Sequence, residues 1–427
     1  MAKIQSIEKY STKKLDISNV LDNDICHLNN LFSQNGFKLL ITGGAVRDLI
    51  LAEKPNDIDF ATDAKPDEII EKFKDISDYR ILDTAKRYGC ISFQKDKKKY
   101  EVTSFRKDVA TYGRAAKICY TKDIYEDAMR RDFLCNSMYL SFDGTLYDPL
   151  NAYQDTLDRK VTFIGDAYKR IHEDHLRILR YLRLTSKLNT KKIDLKELHI
   201  CKKEKSLLLR LAKEQIKGEI IKLTQSIHSP DIIARISLRE FLDLFNIKIN
   251  NCRHIQKLKL IKEKFGEYFQ NPLFEFTLTL DNSISQEDII EVLKELKFTN
   301  SEIKEIKIIQ ELLHQSKILV INSTDAYIYR YGKEFTRYAI IIYWLYEVES
   351  MQSDDLIELL EGVDKKSIPE FPIESKDFFR LGLKPGKDLG LIRKNLKELW
   401  LSSNCQLTKT ELLRKIDISL PSDNGGQ

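Results

Sequence analysis

Asp57-Ile58-Asp59 places two carboxylates two positions apart in a short apolar run, DIDFA (57–61). In a strand, residues i and i+2 project from the same face, so both carboxylates can share a divalent ion while Ile58 and Phe60 turn to the core. Mg2+ suits such a pair, because it is held through one or two carboxylates together with substrate phosphates. A phosphate site lies just upstream, where KLLIT (38–42) runs into Gly43-Gly44 and then the helix start Ala45-Val46-Arg47-Asp48. Consecutive backbone N–H groups and a helix N-terminus there can cradle a triphosphate, with Arg47 adding charge. Each feature also has a plainer reading: Asp-x-Asp is common on polar strand edges, and a Gly pair between strand and helix is usually a tight turn.

Three further clusters carry charge. Glu101 opens the run Glu101-Val102-Thr103-Ser104-Phe105, and it completes the acidic site if that strand neighbours the aspartates; a solvated glutamate at a strand end is the equal alternative. Arg130-Arg131-Asp132 follows Glu126-Asp127 on an expected helix, with Phe133, Cys135 and Met138 on its buried side. Adjacent arginines cannot share a helical face, so one is expected to pair with a carboxylate while the other reaches phosphate. In Glu173-Asp174-His175-Leu176-Arg177-Ile178-Leu179-Arg180-Tyr181-Leu182-Arg183, the residues Asp174, Arg177, Arg180 and Arg183 fall three apart. On one helix they form a charged ridge amid apolar residues. Asp accepts from an exocyclic amine and Arg offers a planar fork, so the ridge can read a base edge; an ordinary ion-pair ladder is the plainer reading.

Short strand-like runs, KLLIT, DIDFA, CISFQ (90–94) and YEVTSF (100–105), alternate with helical stretches over the first 150 or so residues and predict a mixed α/β domain. From about Asp166 the pattern becomes long amphipathic stretches, with breaks expected near Asn189–Thr190, Ser229–Pro230, Asn282–Ser285 and Ser367 to Pro372. A chain of 427 residues exceeds one core, so several domains are expected. The net charge of +5 permits an RNA partner without requiring one. Seven scattered cysteines without a C-x-x-C pair fit a reducing compartment, and the longest apolar run, Tyr338 to Tyr346, is too short to span a bilayer. A soluble cytoplasmic protein is the expectation, with no membrane association and with disorder only at Pro421 to Gln427.

Taken in order, these segments resemble the class II tRNA nucleotidyltransferases, the CCA-adding enzymes and their bacterial poly(A) polymerase relatives within the polymerase β superfamily. The matching residues are Gly43 to Asp48, Asp57-Ile58-Asp59, Glu101 to Arg106, Arg130-Arg131-Asp132-Phe133 with Asn136, Asp148-Pro149, and Glu173-Asp174 with Arg177, Arg180 and Arg183. The likeness returns in Leu381-Gly382-Leu383-Lys384-Pro385-Gly386 with Gly390. It implies an α+β fold: a nucleotidyltransferase head with a mixed β-sheet and helices (1–150), then an all-α neck that selects nucleotides (151–220), body (221–365) and RNA-binding tail (366–427). It implies a catalytic set of Asp57, Asp59 and Glu101, with two Mg2+ on Asp57 and Asp59. Gly43, Gly44 and Arg47 would hold triphosphate, Arg131 and Asp132 would contact phosphate and ribose, and Asp174 and Arg177 would select CTP or ATP with support from Arg180 and Arg183. The 3′-hydroxyl of a tRNA acceptor arm then attacks the α-phosphate and pyrophosphate leaves.

The family usually has glycine at Ala152 and leucine at Thr156, in a segment regarded as a hinge, and alanine disfavours positive φ. His175 replaces the usual proline after Glu-Asp. The stretch Thr84 to Cys90 resembles the CCA-type segment more than its poly(A) polymerase counterpart. The segment between Arg106 and Ile124, with Arg114 and Lys117, lies where CCA enzymes carry a flexible loop and argues against a CC-only enzyme. The alternatives are a poly(A) polymerase, a CC- or A-adding enzyme, or a catalytically silent RNA-binding protein whose lysine stretches, 95–99 and 202–205, hold phosphates.

Overall fold

Ten short strands and a succession of helices make up the chain in the computed structural model, which describes residues 7–416 apart from 19, 113–114, 228–229, 251–253, 256, 260–261, 263–270, 282, 316–321 and 348–352. Pro421 to Gln427 lie outside the described residues. The chain divides into two units, Met1–Asn246 and Ile247–Gln427.

In the first unit the strands are β1 Ser11–Lys14, β2 Leu39–Thr42, β3 Asp59–Thr62, β4 Arg80–Leu82, β5 Cys90–Lys95, β6 Lys98–Ser104, β7 Arg106–Tyr112, β8 Ala115–Tyr120, β9 Tyr139–Leu140 and β10 Thr145–Tyr147. Eight form one sheet in the order β1-β10-β9-β2-β3-β6-β5-β4. Only the β3–β6 pair is parallel, so the sheet is mixed as expected. Its helices begin with α1 Asn23–Gln34, α2 Gly44–Ile50, α3 Pro66–Phe73 and α4 Ile124–Met129. Asp22 starts α1 by accepting the Ile25 N–H at 2.8 Å, which satisfies a donor the helix cannot. Leu28 and Phe32 of α1 then bury against Phe73 of α3 and Phe93 of β5, with the Phe32 and Phe73 ring centres 4.8 Å apart.

The helices continue with α5 Tyr153–Leu157, α6 Ala167–Glu173, α7 Arg177–Lys187, α8 Leu195–Lys203 and α9 Lys213–Gln225. Buried Ile178, Leu179, Tyr181 and Leu182 fix the orientation of α7. Tyr181 stacks on Phe163 at 5.4 Å.

Several local expectations change. Asp57 lies just before β3 rather than in it. The helix expected through Arg131 ends at Met129, and a 3-10 turn, Leu134–Asn136, follows. Asp174 stands between α6 and α7 in extended conformation, so it does not share a helix with Arg177. The segment after Arg106, expected as a flexible loop, contains the β7–β8 ladder; Arg114 is outside the described residues and Lys117 lies on β8. Ala152 has φ −85° and is wholly buried, so this conformation needs no positive φ there. Ala152→Gly is therefore expected to lower stability by roughly 1 kcal/mol, read as a fall in melting temperature, because it adds chain entropy without relieving strain.

The second unit is helical; the stretch Thr324–Glu347 breaks into two helices at Gly332, whose φ is 83°, and the core joins Phe274, Ile309, Tyr338, Ile341 and Leu360. A further apolar cluster joins Phe378, Leu396, Trp400 and Leu412. No helix among the described residues is long and apolar enough to cross a membrane. His254 is buried with its Nδ1 3.0 Å from the Tyr346 hydroxyl, and burial holds its pKa down to about 4. The unfolded chain binds a proton near the ordinary value of 6.5, so stability is full above that pH and falls as pH drops from 6.5 towards 4. The loss expected is up to ~3 kcal/mol. Melting curves of His254→Phe across this range should be flatter than those of the wild type.

Candidate active site

The β2–β3 ladder pairs Thr42 with Asp59, so the turn at Gly43 begins beside the carboxylate. Gly43 has φ 71° and caps α2; a side chain there would be strained, and its Cβ would stand 3.6 Å from Arg131 Nη1. Beyond β3 the parallel register pairs Phe60 with Val102, which puts Glu101 on the strand next to Asp59. Asp59 keeps an exposed surface, yet its carboxyl pKa is raised. Desolvation beside the sheet is the main cause, Glu101 and Asp57 repel its charge, and Arg131 opposes them. Asp59 thus feels the charges of Glu101, Arg131 and Asp57.

The donor set fits Mg2+: hard carboxylate oxygens, whose mutual repulsion a divalent cation would relieve. The arrangement is not a closed cage. Among the described residues no three His, Cys, Asp or Glu side chains converge as metal ligands, and Glu101 is turned to Lys99 at 2.6 Å. The expectation that Glu101 completes the ligand set is corrected accordingly.

Arg47 does not reach outward. It is buried, its Nε and Nη2 donating to Asp48 Oδ1 at 2.9 and 2.6 Å and its Nη1 to Asn136 Oδ1 at 2.8 Å. The guanidinium braces the glycine turn, and a Cβ on Gly44 would meet it at 3.2 Å. Lys187 of α7 reaches the other oxygen of Asp48 at 3.0 Å, joining α2 to α7.

The division of labour expected for Arg130 and Arg131 is also revised, because both pair with Asp127. Arg130 Nε donates to Asp127 Oδ1 at 2.9 Å and Arg131 Nη2 to Oδ2 at 3.1 Å. The Tyr139 hydroxyl adds a bond to Oδ2 at 2.6 Å and the Arg106 N–H one to Oδ1 at 3.1 Å. Burial pushes the Asp127 pKa up, but the two arginines with these donors outweigh it and hold the group below its ordinary value. Asp132 is also held low: burial opposes, while Arg180 and Asn136 prevail. Arg180 Nε and Nη2 grip Asp132 Oδ2 at 2.9 and 2.5 Å, a paired contact between α7 and the Arg130–Asp132 segment.

Asp174 is exposed and its Oδ1 accepts the Leu176 N–H at 3.0 Å, which starts the turn into α7. Arg177 Nη1 bonds Glu173 Oε2 at 2.7 Å, and Arg183 Nε bonds Glu219. The residues near 202–205 are similarly occupied: Lys202 pairs with Glu240, as Lys95 and Lys98 do with Asp24. Sequence reasoning did not single out Asp127 or Arg170 as site residues. Asp127 had a signal, an acid three and four residues before two arginines; Arg170 had none.

Residues 39–162 match the family model described as the poly A polymerase head domain, and residues 275–416 match a second model, tRNA nucleotidyltransferase domain 2. The chain is 31% identical over 403 residues to the human mitochondrial CCA tRNA nucleotidyltransferase 1, covering 91% of this chain and 88% of that protein. The chain belongs to the CCA tRNA nucleotidyltransferase family. A bacterial member, the CCA-adding enzyme of Lactobacillus helveticus, is 26% identical over 385 residues, 87% of this chain and 90% of that one. The CCA tRNA nucleotidyltransferase fold is likewise seen in the CCA-adding enzyme of Bacillus stearothermophilus solved with CTP, at a TM-score of 0.69 and 19% identity over 93% of this chain and 99% of that one.

Proposed function

We propose that this chain adds CMP and AMP, from CTP and ATP, to the 3′ end of tRNA as other CCA tRNA nucleotidyltransferases do, releasing pyrophosphate. The observation that carries this reading is the convergence, within one unit, of Asp57, Asp59 and Arg131 at the Gly43 turn, with Arg180 of α7 clamped to the neighbouring Asp132. Relatives solved with CTP, with ATP and with tRNA support the substrates.

Asp57 and Asp59 would hold Mg2+, which when bound supplies Lewis-acid stabilisation to the α-phosphate and to the attacking and leaving oxygens. Arg131 lies beside Asp59 and supplies fixed positive charge on the phosphate side, prearranged by Asp127. The N–H groups at Gly43 and Gly44 take the triphosphate, and Arg47 stiffens that turn from below. Asp132 and Arg180 set the ribose side. Asp174 and Arg177 read the base edge, Asp174 accepting and Arg177 donating, with Arg183 fixed by Glu219. We assign residues 1–150 to a catalytic head, 151–220 to a neck, 221–365 to a body and 366–427 to an RNA-binding tail. The free cysteines suit a reducing compartment, the cytoplasm in our reading.

Transcripts of tRNA lacking the last three, two or one nucleotides, each given CTP or ATP, test the function. CMP should enter the first two and AMP the third; continued AMP addition would make the enzyme a poly(A) polymerase instead. In the same assay Arg177→Ala should narrow the preference for CTP and ATP over UTP and GTP by roughly 10- to 100-fold, with a smaller effect on triphosphate affinity. Unchanged selectivity would count against the base-reading role.

A further inference from the structure

We propose that Arg170, in α6, is a positioning residue for nucleotide choice: it ties the segment that carries Arg131 to the residue that reads the base, Arg177. The inference rests on the function proposed above and extends it.

The guanidinium of Arg170 spans two parts of the site. Its Nη2 donates to the backbone carbonyl of Arg130 at 2.8 Å and to that of Arg131. Its Nη1 donates to Glu173 Oε2 at 2.6 Å. The same oxygen accepts Arg177 Nη1 at 2.7 Å, and that nitrogen also donates to the backbone carbonyl of Arg170 at 2.7 Å. A closed loop of bonds therefore runs from the Arg130–Arg131 backbone through Arg170 and Glu173 to Arg177 and back to Arg170.

Three properties suit this loop to setting a distance. The Arg170 and Arg177 side chains are only 13% and 12% exposed, so solvent screens their bonds little. The loop occupies a single nitrogen of Arg177, and its Nε and Nη2 have no protein hydrogen-bond partner among the described residues. Those two atoms form the parallel donor edge a base can use. Finally, the acceptors around Arg170 lie on opposite arms of a rigid plane. A lysine ammonium, a point donor on a flexible stem, cannot hold both arms at once. Base recognition by Arg177 is thereby held in register with the phosphate-side charge of Arg131, and a misplacement on the order of 1 Å is costly at such a site.

The test compares kcat/KM for each of the four nucleoside triphosphates on tRNA transcripts poised for C or for A, using the full-length wild type, Arg170→Lys, Arg177→Ala and the double variant, alongside melting temperatures. Arg170→Lys should reduce the ratio of correct to incorrect nucleotide by about tenfold, and should add no further loss when Arg177 is already alanine. A purely structural Arg170 would lower the melting temperature and slow all four nucleotides alike, with the ratio unchanged; that result overturns the proposal, as does an equal, additive loss in the Arg177→Ala background. Glu173→Gln weakens the middle of the loop without touching Arg170 and should shift the ratio in the same direction, which keeps the test decisive if Arg170→Lys folds poorly. Selectivity that survives Arg177→Ala refutes the base-reading function itself. Selectivity lost in Arg177→Ala but intact in both Arg170→Lys and Glu173→Gln refutes only the coupling.

Discussion

Asp59→Ala is expected to abolish incorporation of every nucleotide, a loss on the order of 10⁴-fold in single-turnover rate, while tRNA binding persists in a gel-shift assay. Asp57→Ala should do the same. The size of the effect follows from what the pair would hold: several kcal/mol of charge stabilisation at phosphorus comes from the cation, and neither aspartate alone replaces the other. Geometry also separates this reading from a structural one. Asp59 ionises against desolvation and against the charges of Glu101 and Asp57, so its folded-state pKa is raised and its ionised form is a cost at neutral pH. Asp59→Asn should therefore melt at a higher temperature than the metal-free wild type although it is inactive. Added Mg2+ should raise the wild-type melting temperature and leave all three variants unmoved, since only a cation bound to the folded state stabilises it. Turnover retained in either alanine variant would remove the metal assignment.

That site was legible in the sequence to an uneven degree. The strand runs at 38–42, 57–61, 90–94 and 100–105 were readable because each is short and apolar or alternating, and all four coincide with strands to within two residues. The edge strand Ser11–Lys14 was not, since all four of its residues are exposed and polar, which leaves no periodicity to see. Sheet order is a matter of pairing between distant segments. Nothing in Glu101 itself says that its strand lies parallel to Asp59, and that adjacency is what gives it an electrostatic part in the site.

The spacing of Asp174, Arg177, Arg180 and Arg183 suggested one helical ridge, but the helix breaks at Asp174 without a glycine or proline to mark it. A signal was present: Asp readily captures a backbone N–H two residues on, and here it takes that of Leu176 and restarts the helix. The break turns Asp174 into an exposed acceptor beside Arg177 rather than a step on the same face. Arg47 misled in the opposite sense. A cation after a glycine turn reads as a phosphate ligand, and only the arrival of Asn136 from the Leu134–Asn136 turn reveals that its donors are already committed.

Asp127→Ala should be the most destabilising single change in the first unit away from its apolar core, costing about 3–5 kcal/mol. The carboxylate is 1% exposed and receives four donors, two of them guanidinium groups that are themselves only 15% and 14% exposed. Its removal leaves two shielded cations without their counter-charge and a buried tyrosine hydroxyl without its acceptor. Asp127→Asn is isosteric but presents N–H to atoms that are already donors, so it should recover little. The carboxyl's folded-state pKa lies below its ordinary value, hence its contribution is present at neutral pH and disappears as pH falls below about 4 through the folded-state value. Urea denaturation of wild type and variants at pH 7 and at acid pH measures both points, and an alanine variant within about 1 kcal/mol of wild type at pH 7 would refute the account. The consequence for catalysis follows from the same geometry. Arg131 is held beneath Gly43 and beside Asp59 by Asp127, Tyr139 and the Asn136 carbonyl, so releasing the first of these displaces a positive charge that, at Asp59, offsets the repulsion of Glu101 and Asp57. Activity should therefore fall even at temperatures where the variant remains folded, which separates a displaced arginine from simple unfolding.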